Sequence, residues 1–230
     1  MKEGTLYIVA TPIGNLADIS ERAKEILSEV DAILAEDTRH TGKLLAHLGI
    51  KTKMVSYHDH NEKGRVPEII ERLKQGEKMA LVSDAGTPCI SDPGYRIVHA
   101  CREEGVSVST APGPNAALAA LSISGLPTDR FTFEGFLPPK GAKRTKRIEK
   151  ILASDCTSIV YESTHKIQKL VDEVAQLDPE RKLFIARELT KMYEETLHGT
   201  ASEIAKQISE RKGLKGEIVV IFERVSESKN

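Results

Sequence analysis

Met79-Ala80-Leu81-Val82-Ser83-Asp84-Ala85-Gly86-Thr87-Pro88 is a short apolar run that breaks off into an acid, a glycine and a proline. A run this short, bounded by turn residues, reads as a buried strand over Met79–Ser83 followed by a sharp turn at Asp84–Pro88. Ser91-Asp92-Pro93-Gly94 then opens a helix. The pattern repeats in both directions. Upstream, Leu6–Ala10 ends at Thr11-Pro12, Ala32–Ala35 in Glu36-Asp37-Thr38-Arg39, and Lys53–Tyr57 in His58-Asp59-His60. Downstream, Val106–Thr110 ends in Ala111-Pro112-Gly113-Pro114.

Helical segments separate these strands. Ile19, Ala23, Ile26, Leu27 and Val30 recur at helical spacing behind Asp18 and Glu21, which have capping-box spacing. Further helices are expected up to Gly49, over Pro67–Gln75, over Pro93–Glu104 and over Asn115–Ser124. Alternation of this kind predicts a parallel sheet with right-handed crossovers. Such sheets bind ligands beyond the carboxyl ends of their strands, where Gly, Pro and ionisable residues crowd here.

Gly125-Leu126-Pro127-Thr128 reads as a boundary. It predicts an α/β protein of two domains: residues 1–125 with a mainly parallel five-stranded sheet, and 126–225 with a mixed sheet. A polar tail, 226–230, follows. The second part carries strands at Phe131–Phe136, Thr157–Tyr161, Leu183–Ala186, Glu195–Gly199 and Glu217–Phe222, with helices at His165–Leu177 and Ser202–Arg211.

Composition narrows the function. The net charge of −1 gives no global pull toward nucleic acid, so any basic footprint is local. There is no Trp, and five Tyr and five Phe leave the sequence without an evident stacking platform for unpaired bases. Cys89, Cys101 and Cys156 are too widely spaced for a zinc site or a disulfide framework, and read as free thiols. No apolar run suits a membrane span and the N-terminus lacks a signal-peptide core, so a cytoplasmic enzyme is expected.

No GxGxxG follows the first strand, and no GxxxxGK[ST] occurs, which disfavours a conventional dinucleotide or P-loop site. The Asp84–Pro88 turn serves either a ligand or a tight connection with Asp92 as helix cap. Ala111–Ala117 is either a helix start that meets a ligand carboxylate or a proline-stiffened turn. Glu36-Asp37-Thr38-Arg39 offers two carboxylates and a guanidinium for cation binding, substrate orientation or base catalysis, or else an ion pair beside a Thr38 cap. His58-Asp59-His60 has no third ligand near it, and no metal is expected. Lys140, Lys143, Arg144, Lys146, Arg147 and Lys150 form a basic stretch that is either a solvated helix face or a phosphate contact.

In order along the chain, TPIGNL, EDTR, VSDAGTPCISDPG, APGPNA, GFLPPKGAKR, VYESTHK, RELTKMYEE and GEIVV form a far more specific set than any one of them. The set resembles the tetrapyrrole-methylase superfamily, the class III S-adenosylmethionine methyltransferases. Within it, the set is similar to the branch that methylates the ribose 2′-OH of a cytidine in 16S ribosomal RNA; EDTR, DAGTP and RELTK separate that branch from the tetrapyrrole enzymes. The resemblance spans about Gly4 to Glu223.

It implies a homodimer, with S-adenosylmethionine held in a cleft between two α/β domains. The implied cofactor contacts are Pro12, Val82, Ser83, Asp84, Thr87, Asn115, Ala116 and Glu162. Lys191 is the first candidate for the base that takes the hydroxyl proton, followed by Asp37 with Glu36 beside it. Arg39, Lys140 and Arg144 are expected to hold RNA. Members of this branch commonly continue in a basic helical region beyond the equivalent of Asn230. The alternatives are a small-molecule, tetrapyrrole-like methyltransferase and a non-catalytic RNA-binding assembly factor.

Overall fold

The computed structural model describes residues 4–211 and 214–225, so the polar tail expected at 226–230 lies outside the described residues. The chain forms two compact units, one up to Asn115 and one from Ala116 onward. Among the described residues, no helix is long and apolar enough to cross a membrane.

The first unit is a five-stranded parallel sheet made of β1 (Thr5–Val9), β2 (Ala32–Ala35), β3 (Met54–Ser56), β4 (Lys78–Val82) and β5 (Ser107–Ala111), in the order β3-β2-β4-β1-β5. Both faces are covered, because residues alternate along the strands between two cores. Ala32, Leu34, Met79 and Leu81 pack with Ile69, Ile70 and Leu73 of α3 (Glu62–Lys74) and with Ile97 and Cys101 of α4 (Tyr95–Glu103). Ile33, Ala35, Ala80 and Val82 face Ala23 and Leu27 of α1 (Glu21–Glu29) and Leu44 and Leu45 of α2 (Thr38–Leu48).

The chain leaves β1 and β2 over one face and β4 over the other. β4 lies between β1 and β2, so its carboxyl end is a switch point against both neighbours, the place where doubly wound sheets open a crevice.

Local chemistry corrects several expected boundaries. Ser20, not Asp18, caps α1, its side chain accepting from the Ala23 N–H at 3.2 Å; Asp18 closes a short 3-10 turn over Leu16–Asp18. Asp37, not Thr38, caps α2. Asp92 caps nothing, since α4 starts behind Gly94. Helix α3 begins before Pro67, at Glu62, with the preceding turn tied by Asn61, whose side-chain oxygen accepts from the His58 N–H at 2.9 Å. Pro67, the sixth residue of α3, has no N–H to return to Lys63, so one helical bond is missing there.

The second unit holds α5 (Ala116–Ile123) and a mixed sheet of β6 (Phe131–Phe136), β7 (Thr157–Glu162), β8 (Lys182–Arg187), β9 (Glu195–Thr200) and β10 (Ile218–Phe222), ordered β6-β7-β10-β8-β9. The turn Gly125–Thr128 follows α5 inside this unit. β6 and β7 are parallel and the other pairs antiparallel. One face packs on α6 (Ala142–Leu152), α7 (Ile167–Leu177) and α8 (Ala201–Ser209) through Val160, Ile185, Val220, Ile148, Leu170, Val171 and Ile204. On this sheet α5 packs against β7 and β10.

Candidate functional site

The turn after β4 is laced to the turn after β1. The Thr11 N–H donates to the Gly86 carbonyl at 2.8 Å, and the Gly86 N–H returns a bond to the Thr11 carbonyl at 3.0 Å. The Thr11 hydroxyl donates to the Ser83 carbonyl at 3.2 Å. Gly86 stands at φ +84°, a conformation that favours glycine. Beyond the bridge, the Thr87 hydroxyl donates to the Pro114 carbonyl at 3.1 Å, and the Asn115 amide nitrogen lies 3.4 Å from the Thr87 oxygen.

On the other flank, Asp84 accepts from the Asp37 N–H at 3.1 Å, and Glu36 accepts from the Asp84 N–H at 3.4 Å. The ends of β1, β2, β4 and β5 thus meet around one turn. Pro12, Val82, Ser83, Asp84, Thr87 and Asn115, expected as cofactor contacts, are gathered there with Glu36 and Asp37, and Ala116 follows Asn115 in the chain.

The carboxylates around the turn differ in character. Burial, and then the neighbouring Asp84, hold the Glu36 carboxyl above its usual value. Burial pushes Asp92 up to about 6, helped by Glu36, Asp84 and Asp59 and opposed by a hydrogen bond from Ser83. Asp37 goes the other way: hydrogen bonds from Arg39 hold it far below the carboxylate range. Arg39 is solvent-exposed and paired to Asp37 at 2.7 Å. A basin with two proton-avid carboxyls suits a cationic ligand or a proton acceptor. Asp92 was read from sequence only as a possible cap, and nothing in the residue order shows that it returns toward Glu36.

In the second unit Arg144 is 1% exposed. Its guanidinium donates to Glu162 from both terminal nitrogens at 3.1 Å, to Glu173 at 2.8 Å and to the Pro138 carbonyl at 3.3 Å. The other Glu162 oxygen accepts from the Ser163 N–H at 2.8 Å. The expected RNA contact Arg144 is therefore withdrawn from solvent, and the expected cofactor contact Glu162 is occupied in holding α6 and the turn after β7. Helical phase explains this: Arg144 lies one turn before Ile148, on the buried side of α6, while Lys143, Lys146 and Lys150 point outward and Lys140 is exposed just before the helix.

Lys191 lies in the β8–β9 loop. Its ammonium is 3.0 Å from Glu188 and 3.2 Å from Glu217. Burial pulls its pKa down, but the two carboxylates outweigh burial and hold it above the ordinary lysine value. The neutral amine that base catalysis requires is not favoured there. Glu188 also accepts from the Glu217 N–H at 2.8 Å. Its side chain lies over Gly216, where an added Cβ would fall 2.4 Å from it. Glu188 (φ +52°) and Thr190 (φ +64°) adopt left-handed backbone, which costs of order 1–3 kcal/mol each. Such strain, cross-tied by a lysine and two glutamates, marks a pre-organised loop.

Among the described residues, no group of three His, Cys, Asp or Glu side chains could hold a metal ion. His58 and His60 lie in a turn with ring centroids 5.9 Å apart.

The family model for tetrapyrrole (corrin/porphyrin) methylases matches residues 5–205. The chain belongs to that family. It is 51% identical, over 96% of its length and 78% of the relative's, to ribosomal RNA small subunit methyltransferase I of Escherichia coli O157:H7. It is 50% identical, over 99% of its length and 81% of the relative's, to the protein of that name from Haemophilus influenzae. Among solved structures, uroporphyrin-III-C-methyltransferase from Thermus thermophilus aligns with a TM-score of 0.64 at 19% identity, over 95% of this chain and 94% of that one. The methyltransferase CobJ aligns at 0.70 and 16%, over 100% and 97%. At those identities the structures speak for the fold alone.

Arg144→Ala leaves Glu162 buried without its partner, and urea denaturation should show a loss of about 3–5 kcal/mol. Asp92 has a raised folded-state pKa, so the folded protein binds its proton more tightly than the unfolded chain. Its contribution therefore favours folding below pH ~4 and is lost as pH rises through about 6. Asp92→Asn should raise the urea midpoint at pH 8, and the gain should vanish at pH ~4.

Proposed function

We propose that this S-adenosylmethionine-dependent methyltransferase acts on the ribose 2′-oxygen of a cytidine in 16S ribosomal RNA of the small subunit. The observation that carries the substrate is the half-identity, over nearly the whole chain, to relatives named for small-subunit ribosomal RNA. The same relatives favour this reading over a tetrapyrrole-like substrate and over a non-catalytic assembly factor. The ribose and the cytidine are what the resemblance carried by EDTR, DAGTP and RELTK implies. We place the enzyme in the cytoplasm as a homodimer, with the exposed Leu118 and Ile123 of α5 as apolar surface for self-association.

The residues at the β4 end fit the methyl donor. Glu36, Asp84 and Asp92 suit its positive charges. When bound, S-adenosylmethionine supplies an electrophilic methyl carbon on a sulfonium. The protein must orient the ribose hydroxyl toward that carbon and take its proton. Of the three candidate bases, Glu36 is the carboxylate whose proton affinity its surroundings raise; Asp37 is committed to Arg39 and the α2 cap, and Lys191 is held as a cation. We therefore assign the proton to Glu36. Lys191 then orders the loop it sits in, and Lys140 and Arg39 contact phosphate, with Lys143, Lys146 and Lys150 extending the basic face.

Glu36→Gln should lower the single-turnover methylation rate on unmodified small subunits by about 10²–10⁴. Asp37→Asn and Lys191→Met should cost far less with S-adenosylmethionine saturating, and a wild-type rate for Glu36→Gln refutes the assignment. Lys140→Ala should weaken RNA binding and reduce its salt slope by about 1. Mass spectrometry of rRNA from a strain lacking the gene, with and without the gene restored, tests the substrate. An unchanged cytidine methylation pattern contradicts the proposal.

A further inference from the structure

One end of the second sheet combines exposed apolar side chains with basic ones. The pairing register sets Phe136 beside Tyr161, Ile218 beside both Glu162 and Arg187, and Arg187 beside Glu195. The β6 exit, the β7 exit, the β8–β9 loop and the β10 entry therefore share one end. Met192 and Tyr193, 88% and 68% exposed, stand at the tip of the β8–β9 loop, and Phe136 is 62% exposed at the β6 exit. Exposed Lys140 and Lys215 and half-buried Arg187 and Lys191 belong to the same end.

The loop is stiff where it holds Met192 and Tyr193. Arg187 donates to the Lys215 carbonyl and, at 3.2 Å, to the Tyr193 carbonyl. The Thr190 N–H donates to Glu194, and Lys191 bridges Glu188 and Glu217. Two non-glycine residues are held at positive φ in this span. A strained, cross-tied loop that ends in two bare apolar side chains gains nothing for the fold from those two. With five tyrosines and no tryptophan in the chain, an outward tyrosine on a rigid support is a conspicuous use of an aromatic.

We propose that Tyr193, with Met192 beside it, stacks on an unpaired nucleobase next to the target nucleotide and holds that stretch of RNA open; this rests on the rRNA reading above. Bases in RNA are recognised when splayed out and stacked on aromatic side chains. Apolar residues, methionine included, serve as wedges between base steps. The exposed Lys140 and Lys215 at the same sheet end supply phosphate contacts, the arrangement of a single-strand site. Phe136 lies three strands away, roughly 15 Å, close enough for a second base of the same strand. The platform was hidden in the composition because its two aromatics are 57 positions apart in sequence and come to one end only through the sheet register.

The chain's lack of tryptophan makes Tyr193→Trp a single fluorophore at the loop tip. The probes are small subunits lacking the methylation and the protein-free rRNA extracted from them, each with saturating S-adenosylmethionine. Tyr193→Trp and Tyr193→Phe should keep near-wild-type kcat/KM, and RNA should quench the tryptophan emission. Tyr193→Ala should lose roughly 5- to 100-fold in kcat/KM, as expected for one lost stack, with calorimetric affinity for S-adenosylmethionine unchanged. Wild-type kcat/KM for Tyr193→Ala, or emission that RNA does not change, overturns the stacking role and leaves the rRNA reading standing. A wild-type enzyme that methylates neither probe overturns both. A wild-type dimer that becomes monomeric in Met192→Ala/Tyr193→Ala assigns the surface to a second copy of the chain and also overturns the inference.

Discussion

Two backbone hydrogen bonds between Thr11 and Gly86 join the ends of neighbouring parallel strands that the chain leaves in opposite directions. Strand ends at a switch point would otherwise splay, because their connections depart over opposite faces of the sheet. The bridge requires an unhindered backbone at φ +84°, which glycine supplies at position 86. Once it forms, Thr87 is placed to reach Pro114 and Asp84 to reach Asp37. One constraint at the centre of the sheet thus fixes four strand ends and sets the carboxylates of the β2 and β4 ends against one another.

That closeness explains the division of labour among the acids. Asp37 is neutralised locally by Arg39 and spends its oxygens on a helix cap, so its proton affinity falls. Glu36 and Asp92 have no such partner, are partly buried and feel Asp84, so theirs rises. In the second unit, charge serves position. Arg144 ties α6 to Glu162 at the end of β7, and Lys191, Glu188 and Glu217 bind the β8–β9 loop to the entry of β10. The outward lysines of α6 remain at the surface because the inward arginine holds the helix in place.

The parallel sheet of the first unit was legible because its central strands β2 and β4 are buried on both faces and read as short apolar runs, each stopped by an acid. The second unit's mixed sheet was also legible. Helix starts were less so: Ser20 and Asp37 cap where Asp18 and Thr38 looked equally able, since the choice depends on which side chain the preceding turn aims at the free N–H groups. At the site, the strand-end residues could be named from the sequence. The chemistry of each could not, because the proton affinities of Glu36, Asp37 and Lys191 depend on partners brought in by the fold, such as Asp84 and Glu217. Arg144 shows the same limit: within a basic run, a single helical phase decides which cation is inside.

In the proposed function, the turn laced by Thr11 and Gly86 is the floor of the methyl-donor site. Amide hydrogen exchange with and without S-adenosylmethionine tests it most directly. The account predicts that the donor slows exchange at Asp84–Thr87 together with the adjoining Thr11–Ile13, Glu36–Asp37 and Asn115–Ala117 segments. Saturating donor that leaves exchange at Asp84–Thr87 unchanged while slowing it elsewhere would contradict the account.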